Sequence, residues 1–310
     1  MNQKTETIIH AIEQVIIGKR PVIEKLLAAL LCGGHILIED VPGVGKTKLA
    51  AALAGVVGGK FNRIQLTPDI MPSDILGFSM VNQRTGEMEY RQGAAVCNFL
   101  LADEINRASP KVQSSLLEVM EEHQISLDGK TIALPKPFMT LATQNPVETY
   151  GTFHLPEAQM DRFLMKVSMG YPAPQDELSI IANDETGALT AAVSPVASPE
   201  EIVAMQDQVR AVFTSEAVKS YILALVTATR TSPLVKLGAS PRASIALNRT
   251  AKAHAYLNGR DFTTPDDVKS LAESVLAHRL ILSPEGKTRY GSNEACAAAI
   301  CAQLTVPVGN

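Results

Sequence analysis

The segment Asp40-Val41-Pro42-Gly43-Val44-Gly45-Lys46-Thr47 constrains this chain more than any other. It follows the apolar run His35–Glu39 and opens a stretch of helix-forming residues, Lys46–Val57. A loop between a strand and a helix can turn its backbone N–H groups inward around phosphate oxygens, and the helix N-terminus adds positive potential. Gly43 and Gly45 permit backbone angles and a close approach that a side chain would block. Lys46 is suited to the β- and γ-phosphates, and Thr47 offers its hydroxyl to Mg²⁺. Val41, Pro42, Val44 and Lys48 complete the wrap. One residue departs from the strict pattern. Asp40 stands where glycine is usual, so the opening turn must be made differently. The plain alternative, a Gly-rich strand-to-helix turn, leaves the intact Gly-Lys-Thr unexplained.

Such a loop requires a sheet to carry it, and the first half of the chain supplies one. Short β-type runs at His35–Glu39, Phe61–Leu66, Val96–Ala102, Phe138–Thr143 and Leu164–Met169 alternate with helical stretches such as Pro110–Glu122. That alternation predicts a parallel sheet covered on both faces. Two insertions read as hairpins, Phe78–Ala95 around Arg84-Thr85-Gly86-Glu87, and Gln124–Leu134 around Asp128-Gly129. Composition shifts near Gly170–Pro174 and helical signals then dominate. Ser198-Pro199, Ser240-Pro241 and Thr264-Pro265 each read as an N-cap followed by proline in the first turn. The expected division is an α/β domain at 1–172, a linker at 173–195 and an all-helical domain at 196–310.

The second chemical signal is Asn98-Phe99-Leu100-Leu101-Ala102-Asp103-Glu104, an apolar run ending in two acids. A buried strand would deliver Asp103 to the carboxyl edge of the sheet, where α/β folds bind ligands. Asp103 suits the Mg²⁺ shell, and Glu104 could orient and deprotonate the water attacking a γ-phosphate. An Asp-Glu pair after a strand is weak evidence alone; the phosphate loop upstream gives it force. Asn145, in Gln144-Asn145-Pro146, is placed to hydrogen-bond the γ-phosphate or that water, an Asn-Pro turn being the bland alternative. Arg162 could be an always-charged donor for transition-state charge or could pair with Asp161 or a nearby acid; spacing does not decide. Arg242 falls in the first turn of a helix, where the dipole disfavours a cation, which points to an anion from outside. Glu118–Glu122 reads as a solvated helix end.

Composition removes several classes. With 310 residues, the length suits two ordinary domains. A net charge of −4 argues against a chain-wide basic surface for nucleic acid, though not against a local basic patch, and aromatics at 5% with no Trp argue against a stacking platform. Both hairpins are charge-balanced, which disfavours a phosphate-tracking groove. Cys32, Cys97, Cys296 and Cys301 lack metal or disulfide spacing and suit a reducing cytoplasm. The N-terminus has no signal-peptide core, and the apolar stretch Leu26–Ile38 is too short and broken to span a bilayer.

Taken together, these blocks resemble a MoxR-type AAA+ ATPase. The matching stretches are Val15–Lys19, His35–Thr47, Leu101–Ala108, Ala142–Pro146, Leu155–Phe163 and Gly238–Ala243, and their order and spacing are more specific than any one alone. The resemblance implies a P-loop NTPase domain with a parallel five-stranded sheet and a smaller helical lid. It makes Lys46 and Thr47 Walker A, Asp103 and Glu104 Walker B, and Asn145 sensor 1. Arg162 becomes the arginine finger acting on the neighbouring subunit's nucleotide, and Arg242 sensor 2, carried by the lid. Ile16, Ile17 and Gly18 would line the adenine pocket, although an apolar trio is also ordinary core. The hairpins look like the helix-2 and pre-sensor-1 insertions of this branch. ATP and Mg²⁺ are implied, as are a homo-oligomeric, usually hexameric ring, a von Willebrand factor A domain adaptor and a protein client in metal-cofactor insertion or complex assembly. Arg107 has no role that the sequence assigns.

Overall fold

The apolar runs of the first half become neighbouring strands because each is followed by a segment that crosses back over the sheet. The computed structural model describes residues 2–146, 151–185 and 193–306. Helices α1 (Gln3–Glu13) and α2 (Arg20–Leu31) precede β1 (Ile36–Glu39), α3 (Lys46–Val57) and β2 (Phe61–Gln65). A short α4 (Pro72–Leu76) leads into the hairpin β3 (Gly77–Val81) and β4 (Met88–Gln92), then β5 (Phe99–Asp103) and α5 (Pro110–Glu122). A second hairpin, β6 (Gln124–Leu127) and β7 (Lys130–Ala133), is followed by β8 (Met139–Gln144), α6 (Glu157–Met160) and β9 (Met165–Val167). The sheet order is β2-β5-β8-β1-β9, parallel at every pairing. Every residue of β5 is buried, as an interior strand covered on both faces requires. Asp40, Asp103 and Asn145 therefore leave the sheet at one edge. Both hairpins form; Asp128-Gly129 turns the second with φ of 50° and 72°.

After β9 the chain forms α7 (Pro174–Glu185). The stretch expected as a linker, 173–195, holds this helix in its first part. Pro174 and the acids Asp176 and Glu177 suit a first helical turn, and the segment is helical to 185. Residues 186–192 of that expected linker lie outside the described residues. The second half holds α8 (Pro199–Ala211), α9 (Glu216–Thr231), β10 (Val235–Leu237), α10 (Pro241–Leu257), α11 (Pro265–Leu276), β11 (Ile281–Leu282), α12 (Pro284–Tyr290) and α13 (Asn293–Gln303). It is not wholly helical, because β10 and β11 pair antiparallel. The Ser198–Glu201 capping box forms, and Ser240 Oγ accepts from the Arg242 amide at 3.1 Å.

The helical domain is tied to the sheet by buried polar contacts. Arg279 donates to Asp161 Oδ1 at 2.7 Å and to the carbonyls of Asp161, Phe163 and Leu164. Its pKa is held below the usual value by burial, against the pull of Asp161. Lys166 on β9 pairs with Glu39 on β1 and Glu294 on α13, both at 2.6 Å. On the other side, Gln206 donates to the Leu30 carbonyl at 2.7 Å. The four cysteines are free and buried. No helix among the described residues is long and apolar enough to cross a membrane.

Candidate nucleotide site

At the carboxyl edge of the sheet, the loop after β1 opens into α3, and a cavity of about 440 Å³ lies against it. Gly43 and Gly45 take φ of 86° and 92°, the left-handed region that glycine enters without strain. Pro42, Gly43, Val44, Gly45, Lys46, Thr47 and Lys48 all line the cavity. Lys46 Nζ donates to the Asp40 carbonyl at 2.8 Å. Asp103, Glu104 and Asn145 line the same cavity from the ends of β5 and β8. Its further apolar lining is Val15, Ile16, Ile17, Met169, Pro172 and Ile180, the last contributed by α7. Two expected residues are elsewhere. Gly18, at φ 69°, lies beneath Asp176, whose carboxyl leaves no room for a Cβ. Val41 faces a separate cavity beside Glu39 and Lys166.

The two acids are fixed differently. Asp103 is 8% exposed; its Oδ1 accepts from Thr143 Oγ1 at 2.5 Å and its Oδ2 pairs with Arg63 at 2.7 Å. Glu104 follows at φ 58° and ψ 54°, a left-handed conformation that costs a non-glycine residue on the order of 1 kcal/mol or more. Its amide donates to Thr143 Oγ1 at 2.8 Å, and its carboxylate accepts from Gln65 Nε2 at 2.8 Å and Arg107 Nη1 at 3.1 Å. Arg63, Gln65, Thr143 and Arg107 thus belong to the site although the motifs do not point to them. The signal for the first two is the polar-apolar-polar alternation Arg63-Ile64-Gln65, which puts both side chains on one face of β2.

Arg162 and Arg242 form a second centre. They line a cavity of about 260 Å³ together with Arg249, Arg279, Glu121 and Asp161. Among the described residues, the two cavities have no lining residue in common. Arg162 pairs with Glu121 at 3.3 Å and Arg242 with the same carboxylate at 2.6 Å. Asp161 is not the partner of Arg162; it accepts from Arg279 and from Ser240 Oγ, the latter at 2.7 Å. The end of α5 is solvated at Glu118, Glu121 and Glu122 as expected, while Val119 and Met120 are buried and Glu121 also gathers both arginines. Behind it, His35 Nε2 donates to the Met120 carbonyl at 2.8 Å and Nδ1 accepts from the Thr140 amide at 2.9 Å. Burial pushes the His35 pKa down to about 4.

The ATPase family associated with various cellular activities (AAA) matches residues 35–165, and the AAA lid domain matches residues 227–295. The chain is similar to YeaC of Bacillus subtilis, an uncharacterized protein, at 48% identity over 97% of this chain and 94% of that one. It is similar to Chaperone MoxR1 of Mycobacterium tuberculosis at 42% identity, covering 90% of this chain and 76% of that protein. A solved ATPase-type structure from Cytophaga hutchinsonii superposes with a TM-score of 0.91 at 38% identity, over 98% of this chain and 95% of the other.

Proposed function

The chain belongs to the MoxR family of AAA ATPases and is an ATP-hydrolysing enzyme; from that premise we propose that it is a Mg²⁺-dependent, ring-forming remodeller of a protein client. In this reading the loop amides and Lys46 bind the phosphates, and Val15, Ile16 and Ile17 face the adenine. Thr47 and Asp103 would hold Mg²⁺; a hydroxyl and a carboxylate are the oxygen donors that a hard cation takes. When bound, the ion offsets charge on the β- and γ-oxygens. Glu104, aimed by Gln65 and Arg107, takes a proton from the attacking water, and Asn145 orients that water or the γ-phosphate.

One observation carries the assembly part of the proposal. Arg162 and Arg242 converge on one carboxylate in a cavity separate from their own phosphate loop. Two guanidiniums drawn to one anion suit a phosphate delivered by another copy of the chain. Both arginines then serve a neighbour's nucleotide, as a ring requires, and six copies is the number the family suggests. Exposed Phe78, Met80, Val81 and Met88 on the β3–β4 hairpin support a protein client, since flexible apolar side chains adapt to varied protein surfaces. A von Willebrand factor A domain adaptor, a task in metal-cofactor insertion or complex assembly, and a cytoplasmic workplace complete the proposal.

The test is capture with Glu104→Gln, which should bind ATP without turning it over. The expected result is that defined proteins co-purify with Glu104→Gln in the presence of ATP and not with Lys46→Ala. If both variants retain the same proteins equally, client handling is not gated by ATP and the remodelling proposal fails.

A further inference from the structure

Asp40, the residue that breaks the strict phosphate-loop pattern, is 7% exposed and engaged on every side. Its Oδ2 accepts from the Met169 amide at 2.5 Å, the Gly170 amide at 3.0 Å and Ser168 Oγ at 3.1 Å. Its Oδ1 accepts from the Val41 amide at 3.2 Å. The turn it grips is held from the opposite side as well. Lys19 Nζ donates to the carbonyls of Met169, Gly170 and Tyr171 at 2.6, 3.1 and 2.8 Å. So the turn after β9 gives its amides to Asp40 and its carbonyls to Lys19. Met169, Pro172 and Lys19 then line the nucleotide cavity together with the phosphate loop, Met169 reaching Gly45.

Nothing in the backbone calls for glycine at this position. Gly43 and Gly45 have positive φ, and Asp40 does not. A glycine at 40 would satisfy the sequence pattern and remove the tie between the two walls. We propose that Asp40 is a positioning residue: its carboxylate fastens the phosphate loop to the turn at 168–170 and so sets the spacing between the phosphate end of the cavity and its apolar end. The inference rests on the reading of this cavity as the nucleotide site. Hydrogen bonds to a carboxylate are among the stronger ones, and the three that this buried residue accepts from the turn are enough to fix that spacing.

The experiment compares ATP with inorganic tripolyphosphate, which meets only the phosphate end, on the full chain and its Asp40→Gly, Asp40→Ala and Asp40→Asn variants. Losing the carboxylate in the Gly and Ala variants should weaken ATP about tenfold while tripolyphosphate changes by less than about twofold. KM for ATP should rise more than kcat falls. Asp40→Asn keeps an oxygen for the Met169 and Gly170 amides and should fall between wild type and Ala; it carries the test if the smaller residues compromise folding. Wild-type ATP affinity in Asp40→Gly, or parallel loss of both ligands, overturns the role given to Asp40 and leaves the nucleotide site standing. A wild-type chain that binds neither ligand overturns both.

Discussion

Glu104 is the residue at which binding and chemistry separate most cleanly. It sits one position beyond the buried Asp103, in a left-handed conformation held by Thr143, with its carboxylate aimed by Gln65 and Arg107. Glu104→Gln keeps the shape and removes the proposed base. ATP should bind within about twofold of wild type while single-turnover hydrolysis falls by at least about a hundredfold. Hydrolysis at the wild-type rate would remove Glu104 from its role. Lys46→Ala should abolish ATP binding in the same assay. At this scale the sequence was legible where chemistry is local. Gly43 to Thr47 are contiguous, and Asp103-Glu104 ends an unmistakable strand. The partners were not legible, because Gln65 reaches Glu104 only through strand pairing, and nothing in Glu118–Glu122 marks Glu121 as the meeting point of arginines from two domains.

Elements fix where those residues point. The start of β1 and the end of α5 are joined through His35, which is neutral when buried and has its pKa lowered to about 4 from 6.5. The unfolded chain therefore takes up this proton first as pH falls. The contribution of His35 to stability is complete above pH 6.5 and is lost as pH falls toward 4. His35→Gln, which can still donate and accept, should flatten the pH dependence of the urea midpoint across that window; an unchanged slope would refute this. His278, buried and also shifted down, keeps its own share. The seam between the domains makes a second prediction. Removing Arg279 leaves the part-buried Asp161 carboxylate with Ser240 but no cation, so Arg279→Ala should cost about 3 kcal/mol in urea unfolding. A loss within error of zero would mean that the seam is not held there. Four of the five central strands were legible as apolar runs and β2 as a polar-apolar alternation, and the hairpins through their turns. Helix α7 was obscured by the Gly170–Pro174 break before it and the Ala-, Thr- and Ser-rich run after it, and β10 with β11 by brevity: three residues pairing with two across intervening helices leave no periodic signal.

At the scale of the whole molecule, the loop Pro42–Lys48 and the arginines Arg162 and Arg242 line different cavities of one chain. The lid holds them so. Asp161 is gripped by Arg279 and by Ser240, the cap of the helix that carries Arg242, and Arg162 is the next residue. Length and charge alone could not raise the proposal that this 310-residue chain completes its site with another copy. The direct measurement is ATPase activity in mixtures of two inactive variants, Arg162→Ala and Lys46→Ala, under conditions where mixed assemblies are shown to form. A mixed pair places an intact phosphate loop beside an intact Arg162, so activity should return. If mixed assemblies form and stay inactive, Arg162 does not act across the subunit boundary, and the account of this chain as one part of a shared site is contradicted.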